Sequence, residues 1–515
     1  NMIDICPVGA LTSKPFRYQA RTWELSRRKS VSPHDSTGAN LIVQVKNNKV
    51  MRVVPLENEA VNECWIADRD RFSYEALDSQ ERLTQPMIKH GGEWKTVDWQ
   101  TALEYVAKSF KHIQAEHGAS SIGALVSPHS TVEELYLAGA LLRGLGSDNI
   151  DHRLRQAEFA KSEGVHWLGT SIESLTQLQR VLVVGANLRK DHPLFAQRIR
   201  QAVRHGAAVN AITSKALFKD ADAWAMRVAN AVVAEASAWS QSLADVAAAI
   251  AAEKGVNAPA AGQATPQAQA IAKSLLGGER KAVLLGNAAA HHANASSLLA
   301  LANWIAVQTG ATVGYLTEAA NTVGAQWVKA QPQAGGLNAA QMLAGGLKAA
   351  ILLNTEPEFD SAAGQKATEG LSKVDTVVTL SPFKTNLAFS DVLLPIAPFT
   401  ETSGSFANAE GRLQSFHAVV KPLGETRPAW KVLRVLGNLL GLSGFEFETS
   451  QEVLAAATAT PVNLSNATQA GITLSTSADE PVVASIYQLD GLVRRAPSLQ
   501  LTADARAARE EGVAA

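Results

Sequence analysis

Cysteine is scarce in this chain. Only Cys6 and Cys64 occur in 515 residues, which excludes a disulfide framework and any self-contained four-thiolate zinc or iron–sulfur site. So low a count fits a reducing compartment. A surplus of charge is also missing: 47 Lys and Arg against 48 Asp and Glu leave a formal charge of −1. Nucleic acids and anionic membranes call for a basic excess, so neither is an expected partner. Long apolar runs are absent too. A long stretch free of charge and histidine, residues 293–317, is interrupted by Asn294, Asn303, Gln308 and Gly310. It reads as a buried helix followed by a strand, not a bilayer span, so no direct membrane insertion is expected. No P-loop and no G-x-S-x-G elbow is found. What is present is a hydrophobic fraction of 46% in a chain long enough for three to four domains. Wholesale disorder is excluded.

The pattern along the chain changes twice. Residues 1–20 are rich in turn formers. GANLIVQVKNNKVMRVV (38–54) predicts a hairpin, two alternating apolar runs separated by Lys46, Asn47, Asn48 and Lys49, within a small antiparallel unit over 21–77. From residue 98 helical spacing alternates with short apolar runs: SIGALVSP, RVLVVGAN (180–187), AAVNAI, KAVLLGN (281–287), KAAILLN (348–354), DTVVTLS (375–381) and DVLLP (391–395). Strands covered by helices on both faces have this composition, which predicts α/β architecture with parallel, doubly wound sheets. The Ala-rich stretch 247–270, with Gly255, Pro259, Gly262 and Pro266, is expected to be a linker or surface excursion.

Cys6 stands in ICPVGAL, a Cys-Pro pair followed by a glycine turn. Proline after a ligand fixes the backbone so that the thiolate points back at a cluster. The chain text begins in mid-phrase, and the other three ligands are expected upstream of Asn1. ICPVGALTSKPFRYQARTWEL, with Lys14, Pro15, Phe16, Ala20, Arg21, Trp23, Glu24 and Leu25, resembles the end of the ferredoxin-like region in the large iron–sulfur protein (the G subunit) of respiratory complex I, NADH-quinone oxidoreductase. The resemblance implies that Cys6 is the last ligand of a shared 4Fe–4S cluster.

The same resemblance exposes departures. Some relatives carry a further C-x-x-C-x-x-x-C motif and a fourth cysteine in C-D-R-G-R-F. Here SPHDSTGAN puts Ser32, Asp35 and Ala39 in the first three places, and ADRDRF puts Ala67 in the fourth. A second cluster is therefore not expected, and Cys64, three residues before Ala67, reads as a partly buried small hydrophobe.

ETSGSFANAEGRLQ (401–414), followed by Pro422, Gly424, Glu425, Arg427, Pro428 and Trp430, resembles a phrase of the molybdopterin oxidoreductases. VVGANLRKDHP (183–193) looks like that family's loop near the dinucleotide end of the pterin. Gly185 there permits close backbone approach, and an ordinary strand–helix turn is the competing reading. Asn321-Thr-Val-Gly324-Ala carries the same ambiguity. In formate dehydrogenase-like relatives a metal ligand follows an N-x-D-x-x-A-R phrase. The matching text has Asn149, Asp151 and Arg155, and the ligand position falls on Ala157. Alanine binds no metal, so no molybdenum cofactor is expected.

Other constellations are weak. His291-His292 follows a glycine loop without further ligands. Arg27-Arg28-Lys29 and Arg494-Arg495 read as solvated faces or subunit contacts. LDGLVRRAPSLQLTADA (489–505) resembles the closing phrase of the complex I protein.

The resemblance implies four regions. Residues 1–20 would end the ferredoxin-like region. Residues 21–77 would form the small β domain of the 4Fe–4S Mo/W bis-MGD type without its ligands. Residues 78–430 would form molybdopterin oxidoreductase-like α/β domains of the formate dehydrogenase/DMSO reductase type, and 431–515 a helical and extended tail. It further implies a peripheral-arm subunit on the cytoplasmic side of a bacterial inner membrane. The partners would be the flavin/NADH-binding and quinone-module subunits. The chain would support electron transfer from NADH to quinone with no acid, base or nucleophile of its own. The alternative is a catalytic molybdopterin-dependent oxidoreductase of the formate dehydrogenase kind.

Overall fold

The computed structural model describes residues 2–218, 224–474 and 480–513; 219–223, 475–479 and 514–515, the last two within the expected tail, lie outside. A three-stranded antiparallel sheet comes first: β1 (Ser26–Val31), β2 (Asn40–Lys46) and β3 (Lys49–Pro55), in that order. Asn47 and Asn48 take left-handed conformations, φ 50° and 62°, as a two-residue hairpin needs. An edge hairpin follows, β4 (Met87–His90) with β5 (Glu93–Thr96), then β6 (Ile122–Val126) and β7 (Ile150–Asp151).

The chain next builds a separate parallel sheet from β8 (Arg180–Val184), β9 (Ala208–Thr213), β10 (Val228–Val233), β11 (Lys281–Leu285) and β12 (Thr312–Tyr315), ordered β10-β9-β8-β11-β12. It then returns to the first body with β13 (Ala349–Leu353), β14 (Thr376–Ser381) and β15 (Val392–Pro395). These complete a seven-stranded sheet ordered β5-β4-β15-β14-β13-β6-β7. Only the edge hairpin runs antiparallel in it. A last hairpin pairs β16 (Gly404–Ala407) with β17 (Leu413–Phe416).

The apolar runs are continuous because both faces of each sheet are covered. In the five-stranded sheet Leu182, Val184, Val283 and Leu285 enter one core, and Val181, Val183, Ala282 and Leu284 the other. This is the period-2 alternation of a strand with helices on either side. The helix Trp99–His117 shows the complementary 3.6 period. Asp98 caps it through Thr101 N–H at 2.8 Å. It buries Trp99, Leu103, Val106, Phe110 and Ile113 against the seven-stranded sheet.

Three expectations need correction. The stretch 247–270 is no linker at its ends. Helices Trp239–Lys254 and Pro266–Leu276 take up both, and only 255–265 connects them. Alanine is the best helix former, and Ala247, Ala249 and Ala251 are buried core residues. Cys64 is exposed at the surface, not partly buried. Arg494 and Arg495 are not solvated. Arg494 pairs with Asp360 at 2.8 Å, and Arg495 with Glu356 and Glu81, each at 2.6 Å. The C-terminal phrase is thereby clasped onto the α/β body. Arg27, Arg28 and Lys29 are exposed on β1.

Candidate functional site

Cys6 ends a single helical turn, Met2–Ile5, and its N–H donates to Met2 O at 3.1 Å. The chain then turns through Pro7 and Gly9, the latter with φ 67°. Main-chain N–H groups of Leu11 and Val8, reinforced by those of Ala10 and Gly9 against a slight desolvation, lower the pKa of the thiol. A sulfur facing several backbone donors has the surroundings of a cluster-bound thiolate, whose potential such hydrogen bonds tune. One thiolate cannot hold a cluster. Among the described residues no group of three or more His, Cys, Asp or Glu is placed to hold a metal ion.

The four positions of the further cluster motif carry a polar core. Asp35 accepts from Arg69 Nε at 3.2 Å and Nη2 at 2.8 Å, and from Thr37 N–H at 2.9 Å. Ser32 donates to Asp70, Ala39 packs in the apolar core, and buried Ala67 donates its N–H to Asp70 at 3.3 Å. Burial works against both charges of the Asp35–Arg69 pair. Their mutual attraction outweighs it, lowering the pKa of Asp35 and raising that of Arg69. These residues do not fit a cluster: they supply no thiolate, and Asp35 is committed to the ion pair with Arg69.

His34, between Ser32 and Asp35, completes a relay that local spacing does not reveal. Its Nδ1 lies 2.7 Å from Asp490, and its Nε2 2.7 Å from Ser73 Oγ. These distances are those of a Ser-His-Asp triad, but His34 and Ser73 are sealed from solvent. Burial opposes protonation of His34, yet the charge of Asp490 raises its pKa. When charged, the ring donates from both nitrogens, to Asp490 and to Ser73 Oγ. The signal in the sequence is a polar run, SPHDST, in the buried loop between β1 and β2; its partner lies 456 positions away.

The strand order of the five-stranded sheet reverses between β8 and β11, where doubly wound folds place a ligand at the strand carboxyl ends. Here the turn after β8 is tightly packed. Gly185 (φ 60°) lies so close to its neighbours that a Cβ would stand 2.7 Å from both Ala289 N and the Trp239 ring. Its N–H donates to Ile212 O at 3.0 Å. Beyond it Asn187 N–H donates to the Asp191 carboxylate at 2.9 Å, and Lys190 N–H to Asn187 Oδ1 at 3.3 Å. The loop amides that would cradle a phosphate are used internally, so the residues do not fit a pterin dinucleotide. Asn321 is likewise structural, donating to Ser130 O at 2.8 Å and accepting from Ala407 N–H at 2.9 Å.

The phrase at 401–414 also acts as a clip. Arg82 chelates Glu401 at 2.9 and 3.0 Å, and Gln414 donates to Gly38 O at 3.0 Å. The small sheet is thereby tied to the body. The text matching the metal-ligand phrase is equally committed. Asn149 donates to Ser120 O at 2.7 Å, Asp151 chelates Arg153, and Arg155 bridges Glu318 and Asp360. Ala157 is exposed. Arg155 and Glu318 do border a cavity of about 130 Å³ between the two large sheets. His291 lines it through a ring bonded to Val482 O at 2.8 Å, while His292 turns away to Ala236 O at 3.0 Å. The two rings do not converge.

Residues 82–439 match the family model for molybdopterin oxidoreductase. The chain belongs to the molybdopterin oxidoreductase family. A solved member of that fold, acetylene hydratase from Pelobacter acetylenicus, superposes with a TM-score of 0.60 over 84% of this chain and 72% of its own, at 14% identity. The likeness is one of fold alone. Residues 25–75 match the NADH-ubiquinone oxidoreductase NDSU1/NuoG-like 4Fe–4S domain. Among curated relatives of this chain, the G subunit of the NADH-quinone oxidoreductase of Rickettsia felis is 39% identical over 208 residues, 40% of this chain and 30% of its own. The mitochondrial NADH-ubiquinone oxidoreductase 78 kDa subunit of Candida albicans is 29% identical over 458 residues, 85% of this chain and 56% of its own. The chain thus spans about half or less of the curated relatives it matches.

Proposed function

We propose that this chain serves in the peripheral arm of a proton-pumping NADH-quinone oxidoreductase, where it ends one cluster-binding segment and otherwise acts as a docking scaffold. The observation that carries the reading is the Cys6 turn, a lone thiol set among main-chain N–H groups of Val8 and Leu11. A 4Fe–4S cluster bound there, with three ligands from outside this chain, would supply one-electron transfer. The turn would hold the sulfur in place and favour its thiolate. The matched relatives are named as subunits of such an oxidoreductase, and electrons from NADH would travel past this chain toward quinone. Its partners would be the flavin/NADH-binding and quinone-module subunits. Its place would be peripheral, on the cytoplasmic side of a bacterial inner membrane. Among the described residues no helix is long and apolar enough to cross a membrane. The packed turn at Gly185 and the alanine at position 157 weigh against the alternative, a catalytic molybdenum enzyme.

The test is Cys6→Ala in the assembled oxidoreductase, read by low-temperature EPR. One 4Fe–4S signal should vanish or broaden while the others persist; an unchanged spectrum would defeat the assignment. Elemental analysis of the same preparation for molybdenum separates the two readings, since stoichiometric metal would favour catalysis.

A further inference from the structure

The surface around the Cys6 turn differs from the rest of the molecule. Among the described residues sixteen large apolar side chains stay exposed, and six of them, Met2, Ile5, Val8, Leu11, Tyr18 and Trp23, fall within the first 23 positions. Single exposed apolar residues are ordinary, but a concentration of this kind marks an interaction surface. Tyr18 is 98% exposed and Trp23 82%. Their neighbours fix them there. Phe16 packs under the Arg52 guanidinium at 4.3 Å, and Glu24 pairs with Lys46 at 3.0 Å, so the segment is pinned to the small sheet with both of these rings in solvent. Tyr18 also holds φ at 65°, a sparsely populated region for an L-residue, without burying its ring.

Charge on this face is one-sided. Between Cys6 and Lys29 stand six cations, Lys14, Arg17, Arg21, Arg27, Arg28 and Lys29, and one acid, Glu24. All six cations are exposed. Glu24 is already committed to Lys46 and to the Arg21 N–H at 2.7 Å. Arg27, Arg28 and Lys29 lie on β1, an edge strand, and alternate between the two faces of its sheet. The whole chain carries only −1, so the excess is local. Arginine together with tyrosine and tryptophan is the composition of a protein–protein hot spot, and a basic rim is complemented by carboxylates. A nucleic acid would meet the same cations, but the aliphatic Ile5, Val8 and Leu11 offer it nothing to stack on or bond to.

We propose that the face formed by residues 5–29 docks an acidic protein surface within the assembled oxidoreductase, with Tyr18 and Trp23 as its anchors and the cations of β1 as its rim. This rests on the chain's place in that assembly and not on Cys6 as a ligand. The test uses the assembled oxidoreductase with benzoylphenylalanine in place of Trp23. Irradiation should link the chain to an Asp- and Glu-rich segment of another subunit, identified by mass spectrometry. Trp23→Ala, and separately Arg27→Glu with Arg28→Glu, should each raise the fraction of this chain released at a given salt concentration by about ten-fold. Both sites are exposed, so the purified variants should melt as the parent does; where one melts lower, the cross-link decides. Links only to a second copy of this chain, to nucleic acid or to a segment without an acidic excess, no link at all, or unchanged release would each overturn the proposal. Cys6→Ala keeps the two readings apart. An unchanged EPR spectrum with Trp23→Ala still releasing the chain removes the ligand and leaves the docking face, and the reverse pattern removes the face alone.

Discussion

Arg69 grips Asp35 with Nε and Nη2 at 3.2 and 2.8 Å, both side chains out of solvent, at a position where a cluster ligand is the alternative. Arg69 also donates to Asp191 O at 2.7 Å, which joins the small antiparallel unit to the loop after β8. The pair thus does mechanically what a cluster would do by coordination, tying the loop after β1 to the helix Asp68–Phe72. Desolvating both ions offsets most of their attraction, and losing one partner strands the other. Asp35→Ala should therefore cost about 3–5 kcal/mol, whereas Asp35→Ala with Arg69→Met should cost clearly less than the sum of the single changes. Denaturant unfolding of the three variants decides it; strict additivity would show that the pair is not coupled.

Asp490 joins the two ends of the described chain. It accepts from His34 at 2.7 Å and caps the turn Gly491–Arg494 through the N–H groups of Leu492 and Val493 at 2.9 and 3.0 Å. Asp490→Ala should release residues 486–505 from the small unit and cost about 2–4 kcal/mol. Hydrogen exchange should show the loss confined to that segment and to 30–37. The pair also sets a pH window. Burial opposes ionisation of Asp490, but His34 lowers its pKa, so its contribution fades as pH falls. That of His34, whose pKa is raised, fades as pH climbs through its folded value. Protection of the segment should be greatest between about pH 4 and pH 6.5, the ordinary carboxylate and histidine values, and decline on both sides.

Four other buried carboxylates ionise at higher pH than an ordinary surface acid. Burial raises Glu133, Glu134 and Asp191 to about 7 and Asp70 to about 6. Each favours folding while protonated, and that contribution is lost as pH passes upward through these values. The melting temperature should fall between about pH 4 and pH 7. Glu134→Gln retains an acceptor for the Thr131 N–H, now held at 2.9 Å, and removes one ionisation. Its melting curve should be flatter over that interval, and a slope equal to the parent's would show that Glu134 is not protonated in the fold.

The repeating elements were legible because their causes are local. Alternation in VLVV and AVLL, the Asn47-Asn48 turn and the Gly118 stop each act within a few residues, and the strands and helices stand where those signals put them. The Ala-rich helix Trp239–Lys254 was misread because its turn formers lie just past its end, at Gly255 and beyond. Departures from a motif were equally readable, since Ser32, Asp35, Ala39 and Ala67 lack thiols whatever the fold. What took their place was not. Asp35 with Arg69, His34 with Asp490 and Arg155 with Glu318 are long-range pairs. Nothing periodic in a single sequence connects them. The buried Arg494 and Arg495 failed for the same reason: charge suggests solvent until the carboxylates of Asp360, Glu356 and Glu81 are seen beside them.

Gly185 decides whether the loop after β8 is a cofactor cradle or a structural turn. Its φ of 60° costs an L-residue about 1–2 kcal/mol. A Cβ would also press to 2.7 Å on Ala289 N, which is backbone and cannot rotate aside, and on the Trp239 ring. Overpacking of that kind adds about 1–3 kcal/mol. Gly286 answers from the other strand, where a Cβ would stand 2.2 Å from Ala186 Cβ. The two loops are therefore fitted to each other. Gly185→Ala should destabilise the chain by about 2–5 kcal/mol with no ligand in the solution, and a cofactor should not be needed to see the loss. If the loop were instead a phosphate cradle, the variant would keep its stability and only binding of a dinucleotide would suffer. Thermal unfolding of Gly185→Ala and the parent, each with and without added guanine dinucleotide, separates the two: a shared melting temperature without ligand would refute the packed-turn reading.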